Sequence, residues 1–242
     1  MGSSSNDTRA KCAALWERLY PNVKKPETHL REWHREAAAG TLASLDAGCG
    51  SGGSIDHASA LPDAVTVGLD MDFEALKSNQ RVKYKVVGSV EALPFADDAF
   101  GLVTSQYVLE HIGNPTAAFG ELARVSRPGA QFLFMTTNSS SYLGLAIRLI
   151  PESVQFAIKR RFLKMSEKEL YPVYMRCNTP RKLEKLLGAV GFARPDFIFI
   201  GGPFYFSFSY ILFRMAVLLE HITDGVLKPR KFYIVGRAKK SG

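Results

Sequence analysis

Cysteine is scarce in this chain: Cys12, Cys49 and Cys177 are the only three in 242 residues. They are odd in number, far apart and form no CxxC pair. That excludes a disulfide framework and a cysteine zinc site, and it fits a reducing, intracellular setting. Acidic residues are in deficit, with 23 Asp and Glu against 31 Lys and Arg, for a formal charge of +8. The surplus admits an anionic partner such as nucleic acid, anionic lipid or a phosphorylated metabolite. No RNA-binding module or basic–aromatic interleaving accompanies it, so nucleic acid is disfavoured. The polar start, Met1 to Thr8, lacks the apolar core of a signal peptide. No internal repeat is visible. At 46% hydrophobic and 22% charged residues, the composition is that of a folded globular protein rather than a disordered one.

Residues 10–39 read as helical, with Leu15, Trp16, Leu19 and Tyr20 on one face, a break at Pro21, and a second piece from Glu27 to Ala39. From residue 41 the pattern alternates. Strands are expected at 43–47, 65–69, 84–88, 100–105 and 130–136, with helices at 53–60, 72–79 and 114–126 and a poorly extending one at 91–92. Such alternation predicts right-handed βαβ units and a parallel sheet covered on both faces. After Thr137 the rhythm breaks. Asn178-Thr-Pro then starts a helix, with Thr179 as N-cap and Pro180 at the first helical position, ending at Gly191. A strand follows at 194–200, and a last one runs from Lys231 to Ala238.

The most informative stretch is Leu45-Asp-Ala-Gly-Cys-Gly-Ser-Gly-Gly53, an apolar strand running into a glycine-rich turn. About twenty residues on, Val67-Gly-Leu-Asp70 ends a second apolar run in a carboxylate. Glycines let backbone N–H groups approach a ligand closely, and an acidic residue at the next strand tip accepts hydrogen bonds from ribose hydroxyls. Gly48, Gly50 and Gly53 also satisfy the G-x-G-x-x-G spacing of dinucleotide-binding proteins, so an NAD(P)-dependent oxidoreductase is the natural rival. Three features tilt away from it. Asp46 sets a second carboxylate at the strand tip, suited to an ammonium group and poorly placed beside a pyrophosphate. Ala92-Leu-Pro-Phe-Ala-Asp-Asp-Ala-Phe-Gly-Leu-Val103 leads into Ser105-Gln-Tyr-Val-Leu-Glu-His-Ile112. Finally, Glu121-Leu-Ala-Arg-Val-Ser-Arg-Pro-Gly129 turns a helix into the next strand.

Together, in order and with ordinary spacing over residues 41–137, these blocks resemble class I S-adenosylmethionine-dependent methyltransferases of the ubiquinone- and menaquinone-biosynthesis type. The resemblance implies an α/β, Rossmann-like seven-stranded sheet whose last strand is antiparallel, with an N-terminal helical lid and helical insertions after strands 5 and 6. It implies one methyltransferase domain over 1–242: a helical cap (1–40), the cofactor core (41–137), a helical insertion (138–178) and the rest of the sheet (179–242), interrupted by an apolar insertion at 201–230. S-adenosyl-L-methionine is the implied cofactor. Asp46, Gly48, Cys49, Gly50 and Gly52 would line its methionine portion and the turn, Asp70 its ribose, and Met71 its adenine. Ser89, Val90 and Glu91 would sit at the adenine edge and Gln106 near the transferring methyl. The family commonly has an acidic residue where this chain has Ser89, an uncharged and weaker acceptor.

His111 is the candidate base, following the fourth strand. Trp33, Tyr107, Tyr142, Tyr174 and Arg176 are candidate acceptor-binding residues, Arg176 as a buried cation for an anionic group. His29 and His34 share the N-terminal segment with Trp33. No metal site is indicated. Two apolar insertions, Leu143 to Lys164 with its basic cluster and Pro203 to Leu219, suit a lid over a small, hydrophobic or lipid-like acceptor, a peripheral membrane surface or a homodimer interface. Pro203 to Leu219 is short for a membrane span and carries Arg214. The expectation is a cytoplasmic enzyme, with peripheral membrane association open, that methylates such an acceptor, at oxygen in preference to carbon or nitrogen. A non-catalytic cofactor-binding scaffold that docks on a membrane or partner is the other alternative.

Overall fold

The computed structural model of the protein describes residues 2–148 and 171–242. The chain divides into two compact units. One holds Pro26–Thr137, Pro172–Ile198 and Ile234–Gly242, and the other holds Met1–Lys25, Asn138–Tyr171 and Phe199–Tyr233.

The first unit is built on a sheet of seven strands in the order β3-β2-β1-β4-β5-β7-β6. In chain order these are β1 (Ala43–Ala47), β2 (Val65–Asp70), β3 (Tyr84–Val87), β4 (Phe100–Gln106), β5 (Ser126–Thr137), β6 (Asp196–Ile200) and β7 (Tyr233–Lys239). Strand β1 pairs in parallel with both β2 and β4, β2 with β3, and β4 with β5. The last strand is antiparallel, as expected. β1 and β4 are buried over nearly their whole length, as expected of parallel strands covered on both faces. The chain moves outward from β1 to β3 and then returns to lay β4 on the other side of β1. That reversal opens a crevice at the carboxyl ends of β1 and β4, where ligands bind in open α/β sheets.

Helices α2 (Pro26–Ala38), α3 (His57–Ala60), α4 (Phe73–Ser78), α5 (Pro115–Val125) and, later in the chain, Pro180–Ala189 belong to this unit. Side-chain caps start four of them: Asp56 accepts from Ser59 N, Asp72 from Ala75 N, Asn114 from Ala117 N and Thr179 from Lys182 N. Helix α3 begins at His57, not at residue 53, because the Ser54 amide is spent on the Gln106 side chain. The helix expected near 91–92 is absent. Ser89 and Ala92 form an antiparallel bridge there, and Glu121 takes the Leu93 amide. Strand β5 starts at Ser126, earlier than expected, because Ser126 pairs with Phe100 before a register shift that absorbs the Pro128-Gly129 turn.

The second unit contains α1 (Gly2–Leu19), α6 (Tyr142–Arg148), a 3₁₀ turn at Pro203–Phe206 and the helix Tyr210–Thr223. Between α6 and that last helix in chain order lies Pro180–Ala189, so these two helices are α7 (Pro180–Ala189) and α8 (Tyr210–Thr223). Cys12, Phe213 and Val217 are buried together under Leu15, Trp16 and Tyr20. Trp16 stacks on Tyr20 at 4.4 Å and meets Phe204 edge-on at 5.8 Å. Lys231, expected to open the last strand, is instead buried against Glu220, so β7 begins at Tyr233. Most of the first apolar–basic insertion, from Leu149 through Lys164, lies outside the described residues. Among the described residues no helix is long and apolar enough to cross a membrane.

Candidate active site

Where β1 ends, the chain turns back on itself, and the amides of Gly48 and Cys49 both donate to the Leu69 carbonyl, at 2.7 and 3.0 Å. Gly48 does this at φ +78°, and a Cβ there would stand 2.3 Å from the Val108 side chain. Only glycine meets both demands. Asp70, at the tip of β2, then organises the loop. Its Oδ2 accepts from Gly50 N at 2.7 Å and its Oδ1 from Asp72 N at 2.8 Å. Asn79 Nδ2 ties down the carbonyls of Cys49 and Gly50 from below.

The loop borders a cavity of about 410 Å³ whose walls include Asp46, Gly48, Cys49, Gly50, Gly52, Gln106 and Tyr107. Gln106 Oε1 accepts from the Ser54 amide at 2.8 Å and the Ser54 hydroxyl at 2.6 Å. Its Nε2 is buried with no protein partner. Tyr107 adopts φ +57° and donates its hydroxyl to Glu27 Oε1 at 3.2 Å, so the first turn of α2 forms part of the wall.

Beneath the loop runs a buried polar chain. Thr104 Oγ1 donates to Asp46 Oδ1 at 2.7 Å, His57 Nε2 lies 3.1 Å from Thr104 Oγ1, and His34 Nε2 lies 3.3 Å from His57 Nδ1. Asp46 is 2% exposed, and its Oδ2 has no hydrogen-bond partner. Burial raises the Asp46 pKa to about 6, with the Asp70 charge adding to the rise and the Thr104 hydrogen bond opposing it. Burial lowers both His34 and His57 to about 4. Both imidazoles are therefore neutral at pH 7.

The remaining expected residues are placed as follows. Cys49 contributes backbone to the cavity while its sulfur is turned toward Gly68, and burial raises its thiol to about 12. Met71 is 68% exposed beside Asp70. Ser89 and Val90 are half-buried, and Ser89 Oγ accepts from Glu91 N at 3.1 Å. Glu91 Oε1 accepts from the amides of Gly113 and Asn114, at 2.7 and 2.9 Å. His111 Nδ1 donates to the Pro172 carbonyl at 2.8 Å, and His111 is not among the residues lining the glycine-loop cavity. Its neighbour Glu110 is the buried one, accepting from Thr136 Oγ1 at 2.7 Å, with its pKa raised by burial.

Trp33 lies under the Arg237 guanidinium, 4.9 Å from ring to Cζ, rather than in the cavity wall. Arg237 also pairs with Glu36 and Asp196, and this surface pairing draws the indole away. Tyr142 donates its hydroxyl to Glu220 in the second unit. Tyr174 is exposed, with Arg176 Cζ 5.3 Å from its ring. Arg176 is exposed, not buried as expected, because its guanidinium reaches outward to the Gly113 carbonyl.

Thr104, His57, Ser54 and Glu27 belong to the site without any motif announcing them.

Residues 45–134 match the family described as Methyltransferase domain. The chain is 35% identical over 120 residues to a malonyl-[acyl-carrier protein] O-methyltransferase of Erwinia billingiae, covering 48% of this chain and 47% of that one. It is 32% identical over 122 residues to a ubiquinone biosynthesis O-methyltransferase of Hahella chejuensis, covering 47% of each. It thus spans about half the length of these curated relatives. Among solved structures, a SAM-dependent methyltransferase of Thermotoga maritima superposes with a TM-score of 0.51 at 14% identity, over 95% of this chain and 96% of that one, a likeness of fold. Residues 45–134 thus match a methyltransferase domain, and the sheet that carries them is similar in fold to class I S-adenosylmethionine-dependent methyltransferases.

Proposed function

We propose that the protein transfers a methyl group from S-adenosylmethionine to a small, hydrophobic or lipid-like acceptor, at an oxygen atom. The observation that carries the cofactor side is Asp46. A carboxylate oxygen left buried and unpartnered is costly. An ammonium group on the cavity side removes that cost, whereas a pyrophosphate would add to it. Gln106 Nε2 is a second buried, unpartnered group on the same cavity, and it is a donor. An acceptor and a donor together suit the ammonium and carboxylate ends of an α-amino acid. This pairing favours S-adenosylmethionine over NAD(P).

Asp70 spends one hydrogen bond per oxygen on the loop, and a carboxylate has about four acceptor sites, so capacity remains for two ribose hydroxyls. The loop at Gly48, Cys49, Gly50 and Gly52 would shape the turn around the cofactor, and Met71 would cover the adenine. With Glu91 committed to Gly113 and Asn114, the adenine edge is left to Ser89 and Val90. Bound S-adenosylmethionine supplies the sulfonium that activates the methyl group. The chain's own residues align the reacting groups and exclude water. His111, whose Nδ1 donates to the Pro172 carbonyl, is the side chain that would take the acceptor's proton.

The acceptor's apolar character is supported by the apolar sequence of the two insertions, Leu143 to Lys164 and Pro203 to Leu219. The two curated relatives are both named O-methyltransferases, which supports transfer to oxygen. Calorimetry with S-adenosylmethionine and NADP(H), followed by incubation of a lipid and metabolite extract with isotopically labelled cofactor and mass spectrometry, tests both halves. Tight NADP(H) binding with none of S-adenosylmethionine would overturn the cofactor assignment. Cofactor binding without label transfer to any extract component would favour a non-catalytic scaffold.

A further inference from the structure

The chain from His34 to Asp46 has a single consistent arrangement of hydrogens. Thr104 has one hydroxyl hydrogen, and it goes to Asp46 Oδ1. Toward His57, 3.1 Å away, the Thr104 oxygen can then only accept, so His57 carries its hydrogen on Nε2. The neutral ring's lone pair is left on Nδ1, which accepts from His34 Nε2–H at 3.3 Å. Every hydrogen in the chain therefore points toward Asp46. Protonating His57 would set two N–H groups face to face across the His34 contact. Burial of both rings in the neutral form fits this arrangement, and His34 and His57 are 2% and 0% exposed.

The consequence falls on the carboxylate. Oδ1 is held by a hydroxyl that is itself held, which fixes the rotation of the Asp46 side chain. Oδ2, 3.7 Å from His57 Nε2 and beyond hydrogen-bond reach, is left as the free acceptor. A bare aspartate at the strand tip could rotate or share its oxygens with the loop amides; this one cannot without breaking the chain of donors.

We propose that His57, oriented by His34, is a positioning residue for cofactor binding: acting through Thr104, it holds Asp46 so that Oδ2 meets the ammonium group of the bound cofactor. The inference rests on the proposed cofactor, and it assigns a role to two histidines that touch neither cofactor nor acceptor. Its distinguishing feature is that it concerns only the amino-acid end of the ligand. A role confined to stapling α2 to α3 would affect every ligand of the cavity alike.

The test is calorimetry on the full chain with two ligands. S-adenosylhomocysteine carries the amino-acid end, and 5′-methylthioadenosine lacks it. His57→Leu should weaken S-adenosylhomocysteine about tenfold and leave 5′-methylthioadenosine within about twofold, the loss expected for one misplaced charged hydrogen bond. His57→Gln, which keeps a donor toward Thr104, should recover most of the loss. In a Thr104→Val background, where the chain is already cut, His57→Leu should add nothing. Equal weakening of both ligands, or unchanged S-adenosylhomocysteine binding, overturns the inference. If His57→Leu does not fold, His34→Phe is read by the same two-ligand comparison. Should the unmodified protein bind neither nucleoside, the cofactor assignment itself fails; binding of both with the variant ratio unmoved defeats only the positioning role.

Discussion

The carboxamide of Gln106 fills the space into which a side chain on residue 53 would project: a Cβ on Gly53 would stand 2.3 Å from Nε2 and 2.9 Å from Oε1. Glycine at 53 therefore serves close approach, not an unusual backbone angle. Gly53→Ala should push Gln106 off Ser54 and weaken S-adenosylmethionine binding about tenfold, the loss of a charge-assisted hydrogen bond. Gln106→Ala added to that variant should cost little more, because the two share one interaction. Calorimetry on the single and double variants checks this, and full additivity would refute it.

Asp70 joins loop to strand. Asp70→Ala removes the acceptor for both Gly50 N and Asp72 N as well as the proposed ribose ligand. We expect cofactor affinity to fall by about 1–3 kcal/mol and hydrogen exchange at the Gly50 and Asp72 amides to accelerate. Unchanged affinity would remove the ribose role.

The buried titratable groups set opposing pH dependences. His34 and His57 stay neutral when folded down to about pH 4, below their ordinary value of 6.5. Their contribution is therefore present above pH 6.5 and is lost as pH falls through that window. Asp46 has the opposite sign: its folded pKa of about 6 lies above 3.8, so its contribution is present below 3.8 and is lost as pH rises through 6. Asp46→Asn removes only the second effect. Between pH 4.5 and 5.5 the unfolding free energy of the variant should rise with pH more steeply than wild type, by about one proton, or about 1.4 kcal/mol per pH unit. Glu110 and Glu220, whose pKa values burial also raises, cancel in the comparison. Urea unfolding across that range gives both slopes, and parallel slopes would contradict the assignment.

His111 separates a base from a tether. If Nε2 takes the acceptor proton, His111→Ala should lower turnover about 100-fold with little change in cofactor affinity. A loss of only a few-fold would leave His111 as the group that fastens the Pro172 carbonyl.

In the second unit, Lys231 and Glu220 form a buried ion pair at 6% and 3% exposure, with Tyr142 donating to the same carboxylate. Lys231→Met strands the carboxylate and should destabilise the protein by about 3–5 kcal/mol. Adding Glu220→Gln should recover a substantial part. Thermal melts of the two variants check this, and no recovery would show that packing, not charge, sets the loss.

Much of the first unit was legible because its signals are local. The run from Ala43 to Ala47, the glycines of the turn, Asp70 and the Thr179-Pro180 helix start each occupy a few consecutive residues. The folded protein has the strand, the turn closed by Asp70 and the capped helix start at those positions. Side chains that meet across long separations were not legible. Glu91 finds Gly113 and Asn114, Trp33 finds Arg237, and His34 finds His57 only once the sheet is assembled.

By itself the sequence determined the order of strands and helices and the glycine turn with its two carboxylates. Hydrophobic periodicity and backbone preference act between near neighbours, so a linear string suffices to express them. The tertiary structure alone decided which oxygen of Asp46 is left free, which hydrogens aim at it and why Gly53 has no side chain. Those outcomes depend on β4 lying beside β1 and on α2 and α3 burying two neutral imidazoles beneath the loop, because a hydrogen bond or a steric clash exists only between atoms that folding brings within a few ångströms.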